Sequence, residues 1–163
     1  MAEPTRILFV CLGNIVRSPL AEHMFRRLAA DAGLGDKYEI DSAGTSAYHV
    51  GESPDSRMRR VAAENGLVYN GRARQFTQAD MDKFDLILAM DTSNLSNVLE
   101  MTSSPDEEKK VILMREFDPQ ASPGAAVPDP YYGGVDGFYN VYKIIERTCQ
   151  NLLAQLEAGE IEL

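Results

Sequence analysis

The chain has 163 residues, of which 44% are hydrophobic and 25% charged, and its formal net charge is -9. This length and balance bound it to one globular domain, residues 1–163, able to bury a sizeable core. The acidic excess argues against a nucleic-acid binder, whose footprint is a basic patch, and no apolar run approaches the ~20 residues of a bilayer span.

Chain order then supplies the elements. Arg6–Cys11 is a near-continuous apolar run and reads as a buried strand. Ile7–Val10 within it resembles a short signal-peptide core. However, Glu3 and Pro4 precede it, Arg17 follows, and no small-x-small cleavage site appears, so a cytoplasmic protein is expected. Ser18-Pro19 reads as an N-cap followed by Pro at the first helical position, with Leu20, Met24 and Leu28 on one face and Gly33 as the stop. Tyr38–Ser42 is the second strand. Ser53-Pro54 repeats the helix-opening signal, with Met58, Val61 and Ala62 inside and Gly66 as its stop. Thr77 to Asp80 spells a capping box, and Asp85–Met90 is a third strand, followed by a helix carrying Leu95, Val98 and Leu99. Lys110–Met114 is the fourth strand. Phe117 to Gly134 is rich in Pro, Gly and Ala, and a loop of that length in a compact domain points to function. Phe138, Val141, Tyr142, Ile145, Cys149, Leu152 and Leu156 line one face of a last helix, which makes Cys149 a small buried hydrophobe. Strands alternating with helices imply an α/β fold, a parallel sheet with helices on both faces.

In such sheets ligands bind at the carboxyl ends of the strands. Cys11 ends the first strand, and the residues from Leu12 to Ser18 lead into a helix. The segment Leu12, Gly13, Asn14, Ile15, Val16, Arg17, Ser18 is thus placed to aim backbone N–H groups and a helix N-terminus at one anion. Gly13 and Asn14 are the residue types that best tolerate left-handed backbone. Arg17 adds a planar fork matched to two phosphate oxygens, and the electropositive setting favours the nucleophilic thiolate of Cys11. Ser18 is expected both to cap the helix and to donate a hydrogen bond to that thiolate. A thiolate attacking a phosphate ester needs an acid for the leaving group. Asp129 is the candidate. Asp-Pro is ordinarily a turn signal, but Tyr131 and Tyr132 follow it and can wall a slot for an aromatic leaving group, with Tyr48 opposite. Two histidines, His23 and His49, show no zinc-ligand spacing, and two cysteines are too few for a disulfide framework. No metal and no cofactor is expected.

The stretches "VCLGNIVRSPLAE", "DSAGTS", "FDLILAMD" and "DPYYGG" together resemble the low-molecular-weight protein tyrosine phosphatases, in that family's order and spacing. The resemblance implies a single domain with a four-stranded parallel sheet, a flavodoxin-like three-layer sandwich. It implies metal-free hydrolysis of protein phosphotyrosine and small aryl phosphates through a cysteinyl-phosphate intermediate. Cys11 would be the nucleophile, Arg17 the phosphate clamp and Asp129 the general acid, then base. Asn14, Ser18 and Ser42 would brace the loop. Leu12, Ile15, Tyr48, His49, Tyr131 and Tyr132 would shape the substrate crevice. Phosphotyrosine proteins would be the partners, inorganic phosphate the product, and the protein a monomer or weak homodimer, engaging neither nucleic acid nor membrane.

Three departures stand out. Val16 replaces a second cysteine that many relatives carry, so Cys11 is expected to over-oxidise. Tyr48 stands where several relatives have Trp, and Gly71 where some have a His that supports the loop. Three rival activities are separable. Arsenate reduction needs further cysteines, and none lies between residues 12 and 148. A phosphoarginine phosphatase tends to carry Thr where this chain has Ile15. A phosphotyrosine-docking module would capture phosphopeptide without releasing phosphate.

Overall fold

The computed structural model describes residues 3–163. Its sheet is built on β1, Thr5–Cys11, in which every residue from Ile7 to Cys11 is buried. Both faces of this strand are covered, which is why its sequence runs apolar without alternation. Ile7 and Phe9 point into one core cluster, Leu8 and Val10 into the other. β2 (Tyr38–Gly44), β3 (Leu86–Ala89) and β4 (Val111–Leu113) complete a fully parallel sheet of order β2-β1-β3-β4.

Three helices pack on the first face: α1 (Arg17–Asp31), α2 (Ser56–Glu64) and α6 (Val135–Glu157). Leu20, Met24 and Phe25 of α1 and Phe138, Val141, Ile145, Cys149 and Leu152 of α6 meet Ile7, Phe9, Leu86 and Leu88 there. Each such large side chain contributes about 1.5–3 kcal/mol by leaving water. The second face is closed by Phe76, by Met81 of α3 (Gln78–Lys83), by Phe84, and by Val98 of α4 (Thr92–Leu99). A short α5, Pro105–Lys109, precedes β4. The architecture is thus the expected three-layer α/β sandwich. Among the described residues no helix is long and apolar enough to cross a membrane.

Several element ends differ from the sequence expectation, each for a physical reason. α1 begins at Arg17 with Val16 in the N-cap position and no side-chain cap, so Ser18 is not the cap. α2 is capped by Asp55, whose carboxylate accepts from the backbone N–H of Arg57 and Met58, while Ser53 instead accepts from Arg72. α5 was not foreseen, although Ser104-Pro105 opens it with the hydroxyl accepting from Glu107 N. β2 runs on to Gly44 because Cys11 pairs opposite it. Gly33 and Gly66 stop their helices with φ of +75° and +87°, conformations that L side chains rarely adopt.

The long loop after β4 is tied down at both ends of its course. The buried Asp118 carboxylate accepts from Arg147 Nε (2.8 Å) and Nη2 (2.9 Å) and from Arg115 Nε (3.0 Å). The Arg147 bonds foremost hold its pKa down at about 2, with Arg115 and the Gln120 N–H adding to them against the cost of burial. Arg115 Nη1 also donates to Ala126 O at 2.8 Å, and Val127 N donates to Met90 O at 2.7 Å. The segment that follows is thereby carried to the carboxyl edge of β3, next to Cys11.

Candidate active site

Between β1 and α1 the chain turns sharply at Asn14, whose φ of +55° is left-handed. Asn is one of the few non-glycine residues that accept this conformation, because its amide can bond locally. Gly13 does not share it. Its small size answers a different need, since a Cβ there would stand 2.8 Å from His49 Cδ2. Gly44 plays the same part from β2, where a Cβ would lie 2.7 Å from Leu12 O.

Three carbonyls of the loop are paired with neighbouring segments. Cys11 O accepts from Thr45 N (2.9 Å), Leu12 O from Ser46 N (2.9 Å) and Ile15 O from Asp55 N (2.8 Å). Among the described residues, the N–H groups of Leu12–Val16 have no such protein acceptor, although Asn14, Ile15 and Val16 are buried. Buried N–H groups require a partner, and a row of them converging with an uncapped helix N-terminus suits an anion.

Cys11 sits at the floor, 3% exposed. Its Sγ lies 3.0 Å from Ser18 Oγ. The direction of that hydrogen bond follows from its neighbours. Asn14 Oδ1 accepts from Arg74 N (2.9 Å), so the Asn14 amide nitrogen faces Ser18 and Ser42 and donates to both, at 2.9 and 3.0 Å. Ser42 Oγ donates in turn to Glu22 Oε1 at 2.6 Å. Ser18 Oγ therefore accepts from Asn14, and its single proton has two acceptors within reach, Cys11 Sγ at 3.0 Å and Ala43 O at 3.4 Å, of which the sulfur is the nearer. Asn14, Ser18 and Ser42 lie behind the loop as a connected brace, and the side chains of Asn14 and Ser18 do not line the cleft.

Glu22 completes this brace, and nothing in its sequence context set it apart from an ordinary helix-surface acid. Behind the loop lies a polar cavity of about 160 Å³ bordered by Asn14, Glu22, Ser42 and Gly71. His23 reaches toward it from α1, its Nε2 3.9 Å from where a Gly71 Cβ would stand, and it stacks on Tyr69 with ring centroids 5.0 Å apart. Burial is the main reason its pKa falls below the usual histidine value, against the opposing pull of Glu22. The region left open by Gly71 is thus bordered by a histidine from a different element.

Arg17 is 2% exposed and fixed on two sides. Its Nη1 donates to Asp91 Oδ2 (2.8 Å) and to Val127 O (2.9 Å). Asp91 is a second residue that sequence reasoning passed over. It ends the quoted "FDLILAMD" and caps α4 through Asn94 N at 2.8 Å, so one carboxylate serves both a helix start and the arginine. Asp129 Oδ2 lies 3.6 Å from Arg17 Nη2, and its Oδ1 accepts from Tyr131 N at 3.1 Å. The Asp-Pro turn and the approach to the Cys11 loop coexist in one residue.

These groups open on a cleft of about 420 Å³. It is lined by the buried Cys11, Ile15, Val16 and Arg17 and by Leu12, Gly13, Asp129, His49 and Tyr131, with Tyr48 and Tyr132 beside them and Ser46 added to the expected set. His49 and Tyr131 pack at a tilt with ring centroids 6.0 Å apart, and Tyr132 meets Tyr131 edge-on at 5.0 Å. Tyr48 and Tyr132 are 89% and 96% exposed, so they are rim residues and not packed core.

Val16 is buried in the core, and Cys149 is fully buried beside Ala21 O, its thiol pushed far up by burial. Peroxide treatment is expected to take Cys11 to sulfinic and sulfonic acid with loss of activity that dithiothreitol does not restore. Recovery of activity through a reversible Cys11–Cys149 disulfide, seen by mass spectrometry, would contradict this.

Comparison with known proteins finds close likeness throughout. The profile of the family described as low molecular weight phosphotyrosine protein phosphatase matches residues 6–160. A low molecular weight protein-tyrosine-phosphatase of Streptomyces coelicolor is 43% identical over 91% of this chain and 92% of its own. A crystal structure of a protein tyrosine phosphatase from Entamoeba histolytica superposes with a TM-score of 0.91 at 40% identity, covering 96% of this chain and 99% of that one. A Drosophila arginine phosphatase superposes at 0.83 with 32% identity, over 93% and 97% of the two chains.

Proposed function

The chain belongs to the low molecular weight phosphotyrosine protein phosphatases, and from that premise we propose how its site works. Cys11 thiolate attacks the phosphorus of a phosphotyrosine side chain, and the bond from phosphorus to the phenolic oxygen breaks. Asp129 gives its proton to that oxygen, so tyrosine leaves neutral. Arg17 and the N–H groups of the loop hold the equatorial oxygens as charge redistributes. Asp129, now a carboxylate, takes a proton from water as the water oxygen attacks cysteinyl-phosphate. The sulfur–phosphorus bond breaks, inorganic phosphate departs, and the thiolate returns to the hydrogen bond from Ser18. One carboxyl group serves both halves, and no metal is required.

The observation that carries this reading is the row of unpartnered loop N–H groups, bounded by Cys11 at one end and Arg17 at the other. It also answers the problem set by the net charge of -9. The overall field repels a phosphorylated substrate, so attraction must be local, from the loop dipoles and one fixed guanidinium. The aromatic lining favours an aryl ester over phosphoserine, because Tyr48, His49, Tyr131 and Tyr132 offer ring surface to a phenolic leaving group while its phosphate reaches Cys11. The fold is shared with an arginine phosphatase, and Ile15, a branched apolar residue lining the cleft, is what favours the aromatic substrate here.

With chelator present, wild type is expected to release phosphate from a phosphotyrosine peptide far faster than from phosphoserine or phosphoarginine. Asp129→Ala should lower kcat/KM on that peptide by about 10²–10³-fold, the ordinary contribution of a positioned acid. Turnover of phosphoarginine at the higher rate would favour the rival enzyme, and tight peptide binding without release would favour a docking module.

A further inference from the structure

Arg57 lies outside the phosphate loop and outside the general-acid loop, yet it connects them. The connection begins at Asp55, whose backbone N–H donates to Ile15 O of the phosphate loop at 2.8 Å. The Asp55 side chain is 8% exposed and is held by its capping of α2. It accepts from Arg57 Nη2 at 2.9 Å and from Arg57 Nε at 3.3 Å. The remaining nitrogen of the fork, Nη1, donates to Tyr131 O at 3.0 Å. Tyr131 N then donates to Asp129 Oδ1. The guanidinium plane is further fixed by two rings, with its carbon 5.1 Å from the centroid of Tyr131 and 4.5 Å from that of Phe138.

We propose that Asp55 and Arg57 form a strut that sets the separation of the nucleophile loop from the general-acid loop, with Arg57 acting as a positioning residue for Asp129. The inference deepens the proposed mechanism and rests on Asp129 being its acid. An arginine is required because the task needs a flat group that bonds at its edges to Asp55 and Tyr131 while stacking through its faces. Lysine offers one compact charge and cannot do both. A plain surface ion pair would not be expected to matter, since Arg57 is 43% exposed and such pairs are worth little. A strut differs, because its loss displaces a proton donor without removing it, and small displacements at a reacting centre are costly.

The test is kcat/KM across aryl phosphates of graded leaving-group basicity, from phenyl phosphate to dinitrophenyl phosphate, for wild type, Arg57→Met, Arg57→Lys, Asp129→Ala and the Arg57→Met/Asp129→Ala double variant. Arg57→Met is expected to lower kcat/KM about tenfold for the most basic leaving group and less than about twofold for the least basic. Arg57→Lys should fall with it and not rescue. In the Asp129→Ala background the Arg57 change should have no further graded effect, and melting temperatures should stay near wild type. A uniform loss across all leaving groups, or a loss that persists in full without Asp129, would overturn the strut. A flat Asp129→Ala profile would instead overturn the acid assignment itself, which separates the two failures.

Discussion

Cys11→Ser is expected to reduce phosphate release from a phosphotyrosine peptide by at least about 10⁴-fold, the scale on which loss of a nucleophile is felt. The substitution changes the chemistry while conserving the shape. Serine is nearly isosteric with cysteine, and the residue is buried with its Sγ in contact with Ser18 Oγ. The loop geometry depends on Asn14, Ser18, Ser42 and Glu22, none of which the substitution touches. The variant should therefore fold, melt close to wild type and still bind the phosphopeptide through Arg17 and the loop N–H groups. What it lacks is the sulfur nucleophile of the proposed mechanism. Retained binding with abolished turnover, by calorimetry and phosphate release, is the expected pair. Turnover within tenfold of wild type would place the nucleophile elsewhere.

The second large effect concerns stability. Asp118→Ala is expected to cost about 3 kcal/mol, because it strips a buried carboxylate from two guanidinium groups and leaves both unpaired. For a chain of this size that lowers the melting temperature by roughly 6–12 °C. The exposed face of each arginine keeps the cost toward the lower end for a broken buried pair, since Arg115 and Arg147 are 17% and 26% exposed. The pH dependence has a definite sign. The folded-state pKa of about 2 lies below the ordinary 3.8, so the carboxylate stabilises the fold above about pH 4. That contribution fades as pH falls from 3.8 toward 2, and the wild-type minus Asp118→Asn difference should shrink over the same window. Thermal denaturation of wild type and Asp118→Asn between neutral pH and pH 2.5 measures it. An equal melting temperature at neutral pH would show that the cluster is not a structural anchor of the loop.

How much of this was legible in the sequence depended on whether partners were close in the chain. The Cys11 to Ser18 loop, the flanking strand and helix, and the Asp129-Tyr131-Tyr132 segment are contiguous, and their chemistry could be read from order alone. Cap positions were harder. Ser-Pro occurs at residues 18–19, 53–54, 104–105 and 122–123, and only Ser104 caps a helix. The hydroxyls of Ser18 and Ser53 are taken by groups that arrive from elsewhere, Ser18 by Cys11 and Asn14, and Ser53 by Arg72. Gly13 was read as a left-handed residue, but it is the approach of His49 that requires the missing Cβ. Glu22, Asp55, Arg57 and Asp91 were passed over for the same reason. Each is an ordinary polar residue until a partner 20 or more positions away makes it part of the site, as Arg17 does for Asp91 and Tyr131 for Arg57. Composition and spacing contain no record of such meetings.

Rapid quenching in acid of wild type mixed with excess phosphotyrosine peptide, followed by peptide mass mapping, tests whether Cys11 carries the transferred phosphoryl group. One phosphoryl group is expected on Cys11, formed and lost at rates that accommodate turnover, and absent from Cys11→Ser. Full turnover with no phosphoryl group on Cys11 at any quench time, or with the label on another residue, would contradict it.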